Sequence, residues 1–498
     1  MAGQLKKFWY LYPAVSILLL LLLLKYAPPL WGLKTAYLAT DVMIFFLVSM
    51  LIFLGSYMRQ RPHLLGPWKS VFRRKLAMAS AVILTAYVVI GLLDSVHFRK
   101  PLPDAGDSAV QYSVETSSLL DELTSSLHNR IEKTYSAPFA LYLFSKENVE
   151  TADGHIIREY PRLRYGGSHL KSVQERAADI FRTLAVVAYQ SILAWAAILV
   201  LLAYFLQRNK DLSLWESCLA VLRGRTVMPW HVALYTVLLL LFIILSAAHF
   251  GTKYHILGTD KVGQDVFYLS LKSVRTGLVI GTLTTLVMLP FAILLGIAAG
   301  YFRGWIDDVI QYLYTTLNSI PGVLLIAAAI LSIQVYIANH PELFETAVDR
   351  SDLRLLALCF ILGITSWTGL CRLLRGEALK LRELEYIQAS TAFGVRHLVI
   401  LARHILPNIM HIVLIVVVLD FSGLVLAEAV LSYVGVGVDP STNSWGNMIN
   451  GARLEMAREP MVWWSLLAAF AFMFILVLAA NLFSDAVRDA FDPHMHKE

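Results

Sequence analysis

The sequence predicts an all-α polytopic membrane protein with about ten transmembrane helices and one small extracytoplasmic α+β domain. Three observations carry this. Of 498 residues, 57% are hydrophobic and only 16% are charged, with a mean hydropathy of +0.61, and a soluble chain of this length carries more charge. Apolar runs of about 17–25 residues, the length of a membrane-crossing helix, recur along the chain. One long polar segment, residues 96–181, interrupts them.

The runs fall at residues 9–27, 37–56, 77–95, 182–205, 232–250, 275–299, 310–336, 354–374, 410–434 and 463–483. The first follows Lys6 and Lys7 and meets no small-x-small cleavage site before Pro28 and Pro29, so it reads as a retained span and not as a signal peptide. The loop SYMRQRPHLLGPWKSVFRRK is the most basic in the chain, which assigns it to the cytoplasmic side. Counting alternately from it puts both termini inside, together with Arg208 to Arg225 and the loop holding Arg396 and Arg403. Residues 96–181 and the acidic loop HPELFETAVDRSD then lie outside. In the outer segment DELTSSLHNRIEK reads as helix, and APFALYLFS and HIIREYPRLRY as strands. A domain of about 85 residues is marginal alone, so it is expected to lean on the spans or on a partner. The chain divides into spans at 1–95, an extracytoplasmic domain at 96–181, a span and cytoplasmic linker at 182–230, and a compact six-span unit at 231–498.

The net charge of +6 belongs to short loops beside spans, which is topology and not nucleic-acid binding. Cys218, Cys359 and Cys371 suggest neither a disulfide framework nor a zinc site. His494 and His496 in the tail DPHMHKE are too few for a metal site. There is no G-x-x-x-x-G-K-[ST] to cradle nucleotide phosphates, and no cluster of His, Asp or Ser at membrane depth, so the chain is not read as an enzyme.

Within residues 257–493, eight motifs follow in a set order: LGTDKVGQDVF, AGYFRGWIDD, SIPGVLL, RLLRGEALKLRELEYIQASTAFG, ILPN, LAEAVLSYVGVGVDP, SWGNM and NLFSDAVRDAFDP. Together they resemble the inner-membrane permease subunit of ABC importers of the peptide/nickel class, of the dipeptide and oligopeptide type. The resemblance covers roughly half of the chain and leaves out the N-terminal half. It implies that residues 231–498 form an ABC permease domain whose cytoplasmic loop, 375–409, couples to an ATPase.

The family's shared cytoplasmic motif is a Glu-Ala-Ala triplet, then a glycine, then Leu-Pro. Here those places hold Gln388, Ala389 and Ser390, then Gly394, then Leu406 and Pro407. Gln388 stands where the family usually has Glu, and Ser390 where it has Ala. Small side chains let a short helix approach a partner closely, Gly394 suits a left-handed helix end, and Pro407 suits the first turn of the next span. The resemblance makes the stretch from Glu385 a coupling helix. The residue-based alternative is an interfacial helix whose Arg396, His397, Arg403 and His404 meet anionic head groups.

Four residues are candidates for the translocation path: Asp260, Asp420, Glu428 and Trp445. Asp260 belongs to the outer LGTDKVGQDVF element, where Gln264 replaces a usual Arg; a Gly-Thr-Asp turn capping a helix is the plainer reading. Asp420 and Glu428 lie inside an expected span, where charges face a cavity or a partner. Trp445 suits a lid, or an aromatic-belt anchor.

The resemblance further implies that ATP and magnesium are bound by a separate ATP-binding subunit, with no cofactor or metal in this chain. A second homologous permease and an extracytoplasmic solute-binding protein complete the machine in a bacterial inner membrane. The expected cargo is peptides or similar small solutes. For the extra N-terminal half, docking of the binding protein through residues 96–181 is the favoured role, ahead of bracing or of binding another subunit. A membrane receptor that senses a ligand through 96–181 is the alternative from another class, and it does not account for the eight motifs.

Overall fold

A computed structural model describes residues 34–59, 62–102, 111–150, 156–207, 213–343 and 346–491. Among them are nine helices long and apolar enough to cross a membrane. They correspond to nine of the ten expected runs; the first, 9–27, and the two tail histidines lie outside the described residues.

In chain order, β1 (Lys34–Thr35) leads into α1 (Ala39–Arg59), α2 (Pro62–Arg73) and α3 (Lys75–Asp94). The polar segment contains β2 (His97–Arg99), β3 (Ser117–Ser118), α4 (Leu119–Leu123), α5 (Ser125–His128), β4 (Glu147–Glu150) and β5 (Ile156–Glu159). Then come α6 (Glu175–Gln207), α7 (Leu214–Leu222), α8 (Trp230–Gly251), α9 (Val266–Phe302), α10 (Trp305–Ser319), α11 (Gly322–Asn339) and α12 (Ala347–Arg382). The chain closes with α13 (Glu385–Ala392), α14 (His397–Ile400), α15 (Leu406–Tyr433), α16 (Trp445–Glu455) and α17 (Trp464–Phe491).

The core is built on α9, which lies along α12 and also contacts α15 and α17. Close approach requires a missing side chain: a Cβ on Gly300 would stand 2.6 Å from the Arg375 carbonyl oxygen and from the Ala378 Cβ. The cluster beneath holds Met288, Ala292, Trp367, Leu370, Leu374, Ile400, Ile405 and Ile409.

The expected span 310–336 is two helices. Pro321 removes a backbone donor and pushes Ile320 out of the helical region, to φ −90° and ψ 130°. The amphipathic α10 ends there and the apolar α11 begins.

Helix α8 packs against α6 and α3. Helix α3, in turn, packs on α17 and α9, and the N-terminal half reaches directly onto the core.

Sheet structure is minor. An antiparallel set joins β1, β2 and β3, and β4 pairs with β5 as a hairpin. The stretch APFALYLFS forms no strand, only a bridge from Tyr142 to Arg162, because Pro138 lacks a donor and Phe139 takes a positive φ of 54°. The helix read across DELTSSLHNRIEK breaks into α4 and α5 at Thr124, whose hydroxyl donates back to the Leu120 carbonyl at 2.7 Å, the local competition that weakens helices at Ser and Thr.

Candidate functional site

Helix α13 follows α12 after a two-residue turn and rests on the core through one side chain. Ile387 is 1% exposed and joins the cluster of Tyr301, Leu374, Ala378, Ile400 and Ile405. Glu385, Gln388 and Ala389 are exposed and Ser390 is half-buried. Gln388 donates from Nε2 to the Glu383 carbonyl at 3.0 Å, in the turn that leads out of α12, and Ser390 donates to the Tyr386 carbonyl at 2.7 Å within its own helix.

The helix ends at Gly394, whose φ of 75° is a conformation open to glycine at no steric cost. Beside it Phe393 is 87% exposed, and Leu398 further on is 77% exposed. Large apolar side chains standing off the surface in this way mark a surface that another body covers.

Leu406 and Pro407 open α15, with the proline in its first turn as expected, but they follow on without a break from α14. Residues 397–433 form one continuous helix containing a π-helical turn, Leu401–Ile405, immediately before them. The proline's missing donor falls where the ladder is already rearranged, and such turns recur at functional positions.

An ion pair and two hydrogen bonds tie together the elements on which α13 rests. Arg375 of α12 holds Asp307 of α10 through two bonds, Nε to Oδ1 at 2.6 Å and Nη2 to Oδ2 at 2.7 Å. This bidentate grip keeps the Asp307 carboxyl below its ordinary pKa. Arg382 donates to the Tyr301 carbonyl at 2.6 Å, and the Tyr301 hydroxyl lies 2.8 Å from Nδ1 of His397. These contacts join α9, α10, α12 and the helix of residues 397–433 to one another.

The four path candidates have four different surroundings. Asp260 accepts from the backbone N–H of Val262 at 3.0 Å and of Gln264 at 2.8 Å, closing its own turn. The cap of α9 is Asp265, which accepts from Phe267 and Tyr268 at 2.9 and 3.2 Å. Glu428 is buried and accepts from Ser432 at 2.7 Å, with the Gly446 backbone packed against it. Trp445 is 1% exposed; its Nε1 donates to the Ser270 carbonyl at 3.1 Å and its ring meets Tyr87 of α3 edge-on. It is a core residue and not a belt anchor. Asp420 alone is half-buried with no hydrogen-bond or ion-pair partner among the described residues.

Two further features escape the sequence reading. The LGTDKVGQDVF element is covered by the polar segment: the Glu132 amide donates to the Gly263 carbonyl at 2.9 Å and the Ser136 amide to Thr259 Oγ1 at 2.7 Å. At its centre His255 sits between Asp265, at 2.9 Å, and Glu132, at 3.4 Å. Burial works to lower the imidazole pKa, but hydrogen bonds to Asp265 and Glu132 outweigh it and hold it up at about 9.

The second feature is a polar stripe on α9. Tyr268, Lys272 and Arg275 occupy successive turns of one face, and each meets an acid of the N-terminal half. Tyr268 donates to Asp121 at 2.7 Å; Lys272 lies 2.6 Å from Asp94 and 3.0 Å from Asp121; Arg275 lies 2.6 Å from Asp41. The signal was present as cations at the edge of an apolar run, a placement that demands partners.

Comparison with known proteins agrees with this geometry. Residues 292–497 match the family of binding-protein-dependent transport system inner membrane components. The chain is 32% identical over 241 residues to the glutathione transport system permease protein GsiD of Pectobacterium atrosepticum, a match covering 48% of this chain and 73% of that protein. It is 27% identical over 305 residues to the oligopeptide transport system permease protein OppC of Bacillus subtilis, covering 58% and 92%. To the dipeptide transport system permease protein DppC of the same organism it is 28% identical over 243 residues, covering 49% and 70%.

Proposed function

The chain belongs to the binding-protein-dependent transport system inner membrane components, as a multi-pass permease of the peptide/nickel ABC importer class, and from that premise we propose that it pairs with a second homologous permease to form a path for peptides or similar small solutes. A separate ATP-binding subunit, loaded with ATP and magnesium, supplies the energy. An extracytoplasmic solute-binding protein delivers the cargo, and residues 96–181 are its docking platform. Both termini and α13 face the cytoplasm.

The observation that carries this reading is the single buried peg of α13. A helix whose one buried side chain is Ile387, with Glu385, Gln388 and Ala389 outward and Phe393 exposed just past its end, is shaped to lie in a groove of another protein and to move with it. Closure of the ATPase pulls α13, and the contacts beneath turn that displacement into rotation of whole helices, as rigid-body transitions require.

The test is affinity purification of the tagged chain from its native membrane, with mass spectrometry of what accompanies it and with Ala389→Cys as a cross-linking probe. Recovery of an ATPase cross-linked at position 389, with a second permease, supports the reading. Recovery of the chain alone or with signalling proteins rejects it in favour of a receptor.

A further inference from the structure

Helix α2 lies between two spans, α1 ending at Arg59 and α3 beginning at Lys75, so it must run along the edge of the hydrocarbon layer. One face is anchored in the protein. Val71 is fully buried, Trp68 meets Phe491 edge-on with ring centroids 5.6 Å apart, and Phe72 lies 6.3 Å from Phe483. These residues, at positions i, i+3 and i+4, form the apolar stripe of an amphipathic helix seated on the end of α17.

The cations stand elsewhere. Lys69 and Arg73 are one turn apart on a common side, Lys75 follows at the start of the next span, and all three are exposed. None has an acidic group within ion-pair distance among the described residues, although the adjacent Arg74 pairs with Asp489. Asp489 is thus spent on Arg74. A fixed trio of unpaired cations at head-group depth, held by aromatic packing, is complementary to lipid phosphate.

We propose that Lys69, Arg73 and Lys75 form a binding site for the head group of an anionic phospholipid, seated at the junction of α2, α3 and α17. The lipid neutralises the three cations and holds α2 in the plane of the leaflet. The N-terminal half thereby gains an anchor that depends on membrane composition.

The experiment is native mass spectrometry of the full chain in mild detergent, titrated with phosphatidylglycerol or with phosphatidylcholine. The site predicts preferential retention of phosphatidylglycerol, weakened roughly 10- to 100-fold in K69Q/R73Q/K75Q, since each surface cation contributes a comparable share. The charge-preserving K69R/R73K/K75R should retain the lipid, which separates lost binding from lost folding. Equal retention of the two lipids by the unaltered chain overturns the proposal. So does displacement of the lipid by millimolar inorganic phosphate, which would indicate a soluble ligand, or by an acidic peptide, which would indicate a protein partner.

Discussion

Arg275 places Nη2 2.6 Å from Oδ1 of Asp41, a residue 234 positions earlier in the chain. The same nitrogen meets the Thr40 hydroxyl at 2.7 Å, the Thr40 amide donates to Asp352 at 3.1 Å, and His97 lies 2.7 Å from the other Asp41 oxygen. The Asp41 carboxylate thus ties α1 to β2 and α9, and Thr40 beside it adds α12 through Asp352. Removing one partner of such a buried pair leaves a lone charge, at about 3–5 kcal/mol. Asp41→Asn and Arg275→Gln should each lower the melting temperature of the purified chain, and the double variant should lose less than the sum. Strict additivity would show that the two groups do not interact.

The His255 cluster predicts a pH dependence with a definite sign. A pKa raised on folding, from 6.5 to about 9, stabilises fully below about 6.5 and loses that contribution as pH climbs through about 9. Glu132 works at the other end. Burial opposes its ionisation, but the His255 contact and the amides of Arg164, Tyr165 and Gly166 hold its pKa down at about 2, so its contribution is lost as pH falls from about 4.5 toward 2. Protease protection of residues 96–181 should therefore be greatest near neutral to mildly acidic pH. In His255→Gln the alkaline loss should vanish; an unchanged alkaline limb would move the effect to another group.

Nothing stands within 4 Å of a Cβ on Gly394, so a substitution there meets only backbone strain, about 1–2 kcal/mol for a left-handed residue. Gly394→Val should leave the chain in the membrane at normal levels and cut solute uptake several-fold by misdirecting Phe393. Uptake at the unaltered level would separate this turn from coupling.

Ile387→Ala removes the peg itself. Large-to-small changes in a core cost about 2–5 kcal/mol, and here the loss should appear as ATP hydrolysis no longer matched by uptake. The ratio of solute moved to ATP consumed, measured in proteoliposomes, is the readout; a preserved ratio would remove Ile387 from the coupling route.

Asp420 is the path candidate without a hydrogen-bond or ion-pair partner among the described residues. Asp420→Asn should weaken uptake of solutes carrying a positive charge while neutral ones move as before. Uniform uptake of both, with normal protein levels, would make Asp420 an interhelical group.

The helices were legible because lipid imposes long apolar runs, and nine of the ten expected are present among the described residues. The turn at Gly394 was legible from residue type alone. The break at Pro321 was written in the sequence but hidden by apolar residues on both sides of it. What a span faces was not legible: Glu428 and Trp445 have the composition of path residues, yet only the packing of α16 shows them enclosed. The stripe Tyr268, Lys272 and Arg275 was unreadable for a related reason, since its acids lie far away in the chain, at Asp121, Asp94 and Asp41.

That stripe also sets a sequence of events during synthesis. Asp41, Asp94 and Asp121 emerge from the ribosome long before Tyr268, Lys272 and Arg275, so the N-terminal half enters the bilayer with these carboxylates met only by His97 and Ser118 and gains its cationic partners only when α9 arrives. Until then the early helices are a half-finished joint, a natural client for insertion chaperones and quality-control proteases. The arrival of one helix closes three ion-bearing contacts at once, converting two separately inserted groups of spans into one inseparable body.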